Sequence, residues 1–359
     1  YPLIDGVVNG CPSHLLEPQR LQLIQYSEAF DNAWWQNYAG VIPNTAVSPN
    51  GTLSADTNFS SGIYPASGGV GNATIVNTAS IFAKLNPSGA STMSFTLNRY
   101  GSGDAIVCTF DLLLGIAGVT ANNGTASGGI AKIDNYGNGW YRCSITGIAS
   151  TTAGSLSFNP SNNCFIWGAQ VEQGSFPTSY IPNYGTSAGI TRVAETANGA
   201  GDASTFNDSE GVLMAEISAL ANDGTFRNIS LNSGSPLQSI RIFYRSDDNK
   251  IQILISSSNG DFYQAEVADA TINNKFAVKY KENDTDVFVN GFLVDTMTNV
   301  SMPVGLSTLD FYNNNTQPFY GNTKQIQYFD SALNDSDLEK ITSWTSFTDL
   351  ANGQTYSIK

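Results

Sequence analysis

Alternating hydrophobic and polar residues dominate both halves of the chain. Alternation places successive side chains on opposite faces of an extended strand, so it predicts half-buried β-strands. The first half carries the pattern in segments 75–85, 92–100, 105–114, 140–148 and 165–171. The second half carries it in segments 211–220, 239–245, 250–256, 261–267, 275–281 and 286–295. Helical periodicity is almost absent, so we expect an all-β protein with antiparallel sheets.

Turn residues predict how some of these strands connect. Asn290-Gly291 separates two alternating runs and predicts a type I′ hairpin, because both central residues of that turn need positive φ. Residues 86–90, Asn-Pro-Ser-Gly-Ala, predict a hairpin with a longer loop between the strands on either side. Near the start of the chain, alternation over residues 21–25 predicts a first strand.

The length of the chain and its Gly and Pro residues predict a division into two domains. Its 359 residues exceed the usual size of one domain. Segment 165–182 begins as an apolar strand and then meets one glycine and two prolines, which is typical of a last strand and its exit. We therefore predict two antiparallel β-sandwich domains in tandem, which the family resemblances given below identify as jelly-roll β-sandwich domains. The predicted boundaries are a connector at 1–13, a first sandwich at 14–182, a linker at 183–204 and a second sandwich at 205–359, which ends with a short helix.

Composition and charge exclude several classes of partner. Charged residues make up 13% of the chain, and its formal net charge is −14. The basic residues are scattered, so nucleic acid is not an expected partner, because phosphate binding needs clustered Lys and Arg. No apolar stretch is long enough to span a bilayer, and we expect no membrane insertion. The chain begins at Tyr1 rather than Met, which is typical of a fragment or a processed product.

The four cysteines are Cys11, Cys108, Cys143 and Cys164. They form no C-x-x-C pair, which argues against zinc sites with short ligand spacing. We expect them to be small buried residues. A disulfide between Cys143 and either Cys108 or Cys164 remains open.

Candidate catalytic residues are few. His14 is the only histidine, so Ser-His-Asp and Cys-His arrangements and histidine-rich metal centres are excluded. A glycosidase needs two carboxylates instead. Glu210, Glu216 and Glu266 are isolated in the sequence and show no such pairing. We expect no enzymatic activity, and a polysaccharide-cleaving enzyme is kept as the alternative.

Acidic turn residues form two candidate Ca²⁺ sites, since hard oxygen ligands suit this ion. One cluster contains Asp247, Asp248 and Asn249, and the other contains Asp284 and Asp286 next to Asn283. The alternative is that these residues only form solvated hairpin turns, which Asp and Asn favour.

Adjacent aromatic residues are unusually frequent. The pairs are Trp34-Trp35, Phe243-Tyr244, Phe262-Tyr263, Phe311-Tyr312, Phe319-Tyr320 and Tyr328-Phe329. Neighbours on a strand point to opposite faces, so one member of each pair should lie outside the core. In the four Phe-Tyr pairs we expect Phe inside and Tyr outside, because the phenol keeps its hydroxyl hydrated.

Outward aromatic rings and amides are the usual elements of a sugar site. The candidate glycan-binding residues are Tyr312, Asn313, Asn314, Tyr320, Tyr244, Tyr263 and Trp35, with Tyr312 and Tyr320 as the preferred platform. The alternative is that these rings pack under loops, against the other domain or against a neighbouring subunit. For Trp140, Trp167 and Phe165 we expect packing in the core.

Six motifs of the first domain, taken together, resemble a known family. They are Leu15-Leu-Glu-Pro-Gln-Arg, Tyr26-Ser-Glu-Ala-Phe-Asp-Asn-Ala-Trp, Ser48-Pro-Asn-Gly-Thr, Gly137-Asn-Gly-Trp-Tyr-Arg, Trp167-Gly-Ala-Gln-Val-Glu-Gln-Gly and Pro177-Thr-Ser-Tyr-Ile-Pro. Their order and spacing are similar to those of the carbohydrate-binding-module-like jelly roll in bacteriophage tail-fibre proteins. The resemblance implies a virion surface protein that binds a host cell-surface polysaccharide or receptor, together with other virion proteins.

The end of the second domain resembles a different family. Phe319 to Ile341 is similar to the closing strand and short helix of laminin-G-like, concanavalin-type domains, with Asn334 as the predicted helix cap. That fold is shared by lectins, glycosidases and structural adhesion modules, so it assigns no activity. A decoration or subunit-contact module, for example in a homotrimer, is therefore the second hypothesis.

Overall fold

The computed structural model describes residues 3–4, 7–8, 13–36, 38–58, 63–65, 68–161, 163–245, 250–257, 261–266, 269–313 and 316–344. These residues form antiparallel β-sheets with one α-helix and one short 3₁₀-helix, so the predicted all-β class is confirmed. The chain divides into two compact units. Unit 1 contains Tyr1–Gly10 and Gln19–Val193, and unit 2 contains Cys11–Pro18 and Ala194–Lys359.

The secondary-structure elements are numbered in chain order. Before residue 194 the strands are β1 (Leu3–Ile4), β2 (Val7–Val8), β3 (His14–Leu16), β4 (Arg20–Gln22), β5 (Trp35–Gln36), β6 (Ile42–Val47), β7 (Leu53–Asn58), β8 (Tyr64–Pro65), β9 (Asn77–Leu85), β10 (Thr92–Arg99), β11 (Ala105–Asp111), β12 (Ile116–Asn123), β13 (Ser127–Gly137), β14 (Trp140–Ile148), β15 (Leu156–Ser161), β16 (Cys164–Gln173) and β17 (Ile190–Arg192). After it they are β18 (Glu210–Ala219), β19 (Arg227–Asn232), β20 (Ser239–Tyr244), β21 (Lys250–Ser256), β22 (Asp261–Glu266), β23 (Asn274–Lys281), β24 (Thr285–Val289), β25 (Phe292–Met297), β26 (Thr308–Asp310) and β27 (Gly321–Phe329). The 3₁₀-helix covers Tyr38–Gly40, and the helix α1 covers Asp335–Thr342.

Unit 1 is a sandwich of two antiparallel sheets. A four-stranded sheet has the order β12-β11-β10-β15, and a six-stranded sheet has the order β13-β14-β9-β16-β7-β6. Alternate residues of both sheets meet in one core, which includes Ile81, Ala83, Phe95, Leu97, Ile106, Phe110, Ile145 and Ile166. The remaining outward positions of the six-stranded sheet form a second surface, which is described below.

The predicted hairpin around residues 86–90 is wrong. Strand β9 pairs with β14 and β16 in one sheet, whereas β10 pairs with β11 and β15 in the other, so the loop crosses between the sheets. Strand β9 is buried on both faces over most of its length, and it is a central strand with both edges already occupied. Alternation alone could not distinguish this crossing from a hairpin.

The predicted first strand is shorter than expected. Only β4 is extended, and it pairs with β17. Leu21 is exposed, whereas Gln22 and Ile24 are completely buried. Gln22 is buried because its side-chain amide donates to the backbone carbonyls of Ala169 and Ile181 at 2.9 and 3.1 Å.

Cys108, Cys143 and Cys164 are buried free thiols, as expected for small core residues. Burial raises the pKa of Cys108 and of Cys164 to about 12, so neither is a thiolate at neutral pH. The two disulfide pairings left open by the sequence are not formed. Cys11 lies outside the described residues.

Unit 2 is a second sandwich. Its six-stranded sheet has the order β25-β24-β23-β18-β27-β3, and its five-stranded sheet has the order β22-β21-β20-β19-β26. The core between them includes Leu213, Ile217, Ile229, Leu231, Ile240, Ile242, Phe276 and Val278. Strand β3 pairs with β27, so His14–Leu16 belongs to unit 2, whereas the predicted boundaries assigned it to the first domain.

Two local predictions in unit 2 are confirmed. Asn290 and Gly291 have φ values of 51° and 89° and connect β24 to β25, as a type I′ turn requires. The side chain of Asn334 accepts a hydrogen bond from the backbone N–H of Asp337 and caps α1. Helix α1 covers the outer face of the six-stranded sheet through Leu338. Within the described residues no helix is long and apolar enough to cross a membrane.

Candidate functional site

The outer face of the five-stranded sheet in unit 2 is polar. In β19, Ile229 and Leu231 point into the core, so Asn228, Ser230 and Asn232 point away from it. In β20 the same alternation turns Arg241 and Phe243 outward, opposite Ser230 and Asn228 in the strand register. We call the surface formed by Asn228, Ser230, Asn232, Arg241 and Phe243 the amide face.

Loop 311–320 folds back beside the amide face. Asn313 and Thr316 exchange backbone hydrogen bonds of 2.8 and 2.9 Å, which closes a tight turn. Phe311 and Phe319 bracket this turn, and both rings pack on the core of unit 2. The backbone N–H of Asn228 donates to the carbonyl of Gln317 at 3.2 Å, which attaches the loop to β19.

Gln317 orients two asparagine side chains. Its Oε1 accepts hydrogen bonds from Nδ2 of Asn228 at 3.1 Å and from Nδ2 of Asn313 at 3.4 Å. Because each amide turns its nitrogen toward Gln317, each turns its oxygen away. Oδ1 of Asn228 and Oδ1 of Asn313 are both buried and have no hydrogen-bond partner among the described residues.

An unpaired buried acceptor is costly, because it has lost its bonds to water without replacement. The penalty is about 1–3 kcal/mol per group. Asn228 is 0% exposed, and Asn313 is half-buried. Asn228 and Asn313 therefore carry two unpaired acceptors that are joined through one glutamine.

Arg241 adds a donor to the amide face. Its Nε is buried without a hydrogen-bond partner in the described part of the chain, and its Cζ lies 5.6 Å from the centre of the Phe243 ring. Burial lowers the pKa of Arg241, but a guanidinium starts so high that it stays charged at neutral pH. The face thus offers both acceptors and a cationic donor.

Asp310 on β26 places a carboxyl group beside the amide face. Its Oδ2 accepts from Nδ2 of Asn232 at 2.9 Å, and its Oδ1 accepts from the backbone N–H of Gly199 at 2.7 Å. These bonds hold the residue in a buried position between β26 and β19. Asp310 therefore organises the edge of the face rather than offering an open carboxylate.

The predicted glycan residues separate into three groups. Tyr312 and Tyr320 are half-buried at the two ends of loop 311–320, and Asn313 lies on the loop itself. Asn314 lies outside the described residues, and the side chain of Tyr263 does as well. The structure therefore links Asn313, through Gln317, to Asn228, which sequence reasoning did not select.

Trp35 and Tyr244 are wrong predictions. Trp35 is 0% exposed, and its Nε1 donates to the carbonyl of Tyr26 at 3.1 Å. Tyr244 is 3% exposed because it shares the inward alternation of Ile240 and Ile242, which leaves Phe243 on the outer face. A buried ring cannot stack on a sugar, so neither residue forms a binding platform.

The second calcium candidate surrounds a lysine. Nζ of Lys279 lies 2.7 Å from Oδ1 of Asp284 and also contacts Oδ2 of Asp286 and Oδ1 of Asp335. Burial alone would lower the pKa of Lys279, but its hydrogen bonds to Asp284 and Asp286 raise it overall. A Ca²⁺ ion would have to compete with this ammonium, and calcium binding here stays a prediction.

The first calcium cluster, Asp247, Asp248 and Asn249, lies outside the described residues. Among the residues that are described, no three His, Cys, Asp or Glu side chains come together as a metal site.

The outer face of the six-stranded sheet in unit 1 is aromatic. Phe82 on β9 lies in register between Arg142 on β14 and Trp167 on β16, and Trp140 is two residues before Arg142. We call Phe82, Trp140, Arg142 and Trp167 the aromatic face. The rings of Phe82, Trp140 and Trp167 form one buried cluster, separate from the core between the sheets. The sequence predicted that Trp140 and Trp167 pack in the core between the sheets, but they pack in this outer cluster instead.

The segment after β16 covers part of the aromatic face. The ring of Tyr180 lies 4.7 Å from that of Trp167, and its hydroxyl hydrogen-bonds to Ser27 at 2.7 Å. Thr178 donates to Glu172 from its backbone N–H at 2.8 Å and from its hydroxyl at 2.7 Å. Glu172 is completely buried by this arrangement. The rings of this face are thus largely covered by the chain itself, whereas Nε1 of Trp167 and Nε of Arg142 are buried without a hydrogen-bond partner among the described residues.

No family model and no curated protein matches this chain. Three similar solved structures are distant. The carbohydrate-binding module CBM40 of Ruminococcus gnavus IT-sialidase has a TM-score of 0.35 and 14% identity over 42% of this chain and 97% of its own. A heptameric SAP-like pentraxin from Limulus polyphemus has a TM-score of 0.30 and 14% identity over 38% of this chain and 71% of its own. Domains LG4-5 of the mouse laminin alpha1 chain have a TM-score of 0.27 and 9% identity over 91% of this chain and 94% of their own.

Proposed function

We propose that this chain is a non-catalytic saccharide-binding protein, and that the amide face with loop 311–320 holds one sugar unit. The observation that carries the proposal is the pair of buried, unpaired oxygens, Oδ1 of Asn228 and Oδ1 of Asn313. Sugar hydroxyls supply the donors that these oxygens lack. The half-buried ring of Tyr312, the residue before Asn313 in the chain, would supply an apolar surface for the sugar.

The wider role in this proposal is attachment at a virion surface. Its support is the resemblance of the unit 1 motifs to phage tail-fibre domains. The partner would be a host cell-surface polysaccharide or receptor, and the protein would act outside the cell together with other virion proteins. Scattered basic residues and a net charge of −14 are compatible with a neutral or hydroxyl-rich ligand rather than nucleic acid.

A glycan array followed by calorimetry on the best ligand tests the proposal. Asn313→Ala should weaken binding at least about tenfold, which corresponds to roughly 1.4 kcal/mol. Its unfolding free energy should change by less than about 0.5 kcal/mol, because the lost amide had an unpaired oxygen. Asn122→Ala, an exposed asparagine of unit 1, is the matched control and should bind like the wild type.

Two results would contradict the saccharide proposal. One is an array without any bound glycan, and the other is a glycan that binds Asn313→Ala and Tyr312→Ala as tightly as the wild type. A release of reducing ends from a bound polysaccharide would instead support the alternative of a cleaving enzyme.

A subunit-contact role is the second candidate, and one observation favours it. Phe292, Leu293 and Val294 are 72%, 49% and 37% exposed on β25, which is an edge strand. Exposed apolar edges promote pairing between chains. Sedimentation equilibrium should then give an oligomer, such as a trimer, that dissociates in Leu293→Lys. A monomeric wild type removes this candidate.

A further inference from the structure

Unit 1 contains a cavity of about 470 Å³ that neither the amide face nor the aromatic face includes. Its walls come from the start of the unit, from the segment before β9 and from the end of β16. The lining residues are Gln19, Arg20, Leu21, Leu23, Gly71, Asn72, Ile75, Asn77, Gln173 and Gly174. Two of the family-like motifs, Gln19-Arg20 and Gln173-Gly174, thus meet at one place.

Asn77 gives this cavity a buried acceptor. Its Nδ2 donates to the carbonyls of Asn72 and Ile75 at 2.8 and 2.7 Å. Both donors are therefore used, and the amide cannot turn over without losing them. Its Oδ1 is buried and has no hydrogen-bond partner among the described residues. An occupant that carries a hydrogen-bond donor would satisfy this oxygen.

Aliphatic groups lie close to that acceptor. A Cβ at Gly71 would lie 3.9 Å from Oδ1 of Asn77 and 2.9 Å from Cδ1 of Leu23, so the acceptor and this methyl group border the same glycine. Gly71 has a φ of 63°, which a larger residue rarely adopts. Leu21 and Ile75 extend the apolar wall. The occupant must therefore carry an N–H or O–H donor next to an apolar group.

The opposite wall is built around Arg20. Its Nε lies 3.5 Å from Oε2 of the buried Glu172, and its Cζ lies 5.2 Å from the centre of the Phe176 ring. The guanidinium is so close to Gly174 that a Cβ there would lie 2.5 Å from Nη2. Arg20 is thus a fixed wall with its charge balanced by Glu172, which disfavours a strongly anionic occupant.

We propose that this cavity binds a sugar residue through an N-acetyl group. In a trans acetamido group the N–H and the methyl lie on the same edge, and the carbonyl oxygen lies on the other. The N–H would donate to Oδ1 of Asn77, and the methyl would contact Leu23 and Ile75. The cavity volume lies within the range of small-ligand sites. This site is independent of the one on unit 2.

Saturation-transfer NMR of the full chain with N-acetylglucosamine tests the proposal, and glucose is the matched ligand without the acetamido group. We expect a dissociation constant on the order of 1 mM for so small a ligand. The strongest signal should be on the acetamido methyl, and glucose should bind at least about tenfold more weakly. Asn313→Ala should retain this binding, which separates the cavity from the amide face.

Ile75→Trp fills the cavity and should abolish the signal. Val47→Trp, at an exposed position of the same unit, is the control and should bind normally. If Ile75→Trp melts early, Leu21→Trp at the exposed rim replaces it. Equal binding of both sugars, or unchanged binding in the filled variants, overturns the proposal. A crystal soaked with N-acetylglucosamine that shows only water on Asn77 overturns it as well.

Discussion

On the aromatic face of unit 1, Trp167 packs on Phe82 and is covered by Tyr180. In unit 2, Asn228 points outward on the amide face and Asn313 lies on the adjoining loop. Their side-chain oxygens are buried and have no partner among the described residues. Both surfaces arise from the same alternation of strand residues. In unit 1 the chain fills its outer face with its own rings and leaves two donors unpaired, Nε1 of Trp167 and Nε of Arg142. In unit 2 the unpaired atoms include two acceptors, Oδ1 of Asn228 and Oδ1 of Asn313.

This comparison separates two uses of an outer sheet face. Large rings contribute to stability wherever the chain can bury them, so their number says little about binding. Polar atoms that are buried but unpaired reduce stability, and they persist where a ligand compensates the loss. Packed rings mark a structural surface, and the two acceptors joined through Gln317 mark the candidate site.

The largest expected effect is on the aromatic face. Trp167→Ala should lower the unfolding free energy by about 3–5 kcal/mol, because it removes a ring packed on two others. Urea unfolding measures this loss. Phe292→Ala, at an exposed ring, should cost less than about 0.5 kcal/mol. A variant that remains stable but loses saccharide binding would reverse the roles assigned to the two faces.

A polar change in the segment that covers the aromatic face should also be costly. Thr178→Val removes the hydroxyl that donates to Glu172 at 2.7 Å and leaves this completely buried carboxylate with fewer donors. We expect a loss of about 2 kcal/mol in chemical unfolding. Thr151→Val, at an exposed threonine of unit 1, is the control. Equal stability of the two variants would show that Glu172 does not depend on the segment above it.

The two units should also differ in their response to pH. Burial is the main cause that raises the pKa of Asp56 in unit 1 to about 6, although it accepts bonds from the backbone of Asn44 and Phe30. The folded state therefore holds this proton more tightly than the unfolded state. The resulting stability is fully present below about pH 4 and is lost as the pH rises through about 6.

The size of this effect is roughly 1–2 kcal/mol once solvent screening is allowed for. Tryptophan fluorescence during urea unfolding reports it, because Trp34, Trp35, Trp140 and Trp167 belong to unit 1 and only Trp344 belongs to unit 2. Asp56→Asn should flatten the profile between pH 4 and 6. A profile that stays as steep in this variant would assign the effect to another group.

The smallest expected change is at the amide face. Asn228→Leu removes one hydrogen bond to Gln317 but also removes an unpaired oxygen, so the net change in unfolding free energy should stay within about 1 kcal/mol. Asn183→Leu is the matched buried control. Its amide makes three hydrogen bonds with the backbone of Gly185 and Thr186, and its loss should cost about 2–4 kcal/mol. Equal costs would mean that Asn228 is satisfied in solution.

Local features of the fold followed from the sequence. The turn at Asn290-Gly291 and the cap at Asn334 depend on residues within four positions of each other, so propensity alone decides them. The loop at 86–90 failed as a prediction because its outcome depends on which distant strands occupy both edges of β9. Alternation assigns faces to a strand but does not choose its partners.

The candidate site was predicted only in part for a similar reason. Tyr312 and Asn313 were selected from their local composition. Asn228 and Gln317 come together through the parallel bridge between Asn228 and Pro318. No sequence pattern predicts this bridge. One signal was present, since Asn228, Ser230 and Asn232 are the polar half of a strict alternation with Ile229 and Leu231. The register of β20 against β19 also explains why Tyr244 faces inward, since it shares the alternation of Ile240 and Ile242.

The pairing of β3 with β27 makes the order of synthesis important. Residues 14–16 leave the ribosome long before residues 321–323, with which they pair, and the whole of unit 1 from Gln19 to Val193 is made in between. Strand β3 must therefore wait unpaired while unit 1 folds, and this single long-range closure should be late and slow. A fragment that begins at Ala194 would lack β3 and expose the edge of β27 to other chains. Neither unit can be released intact by one cut.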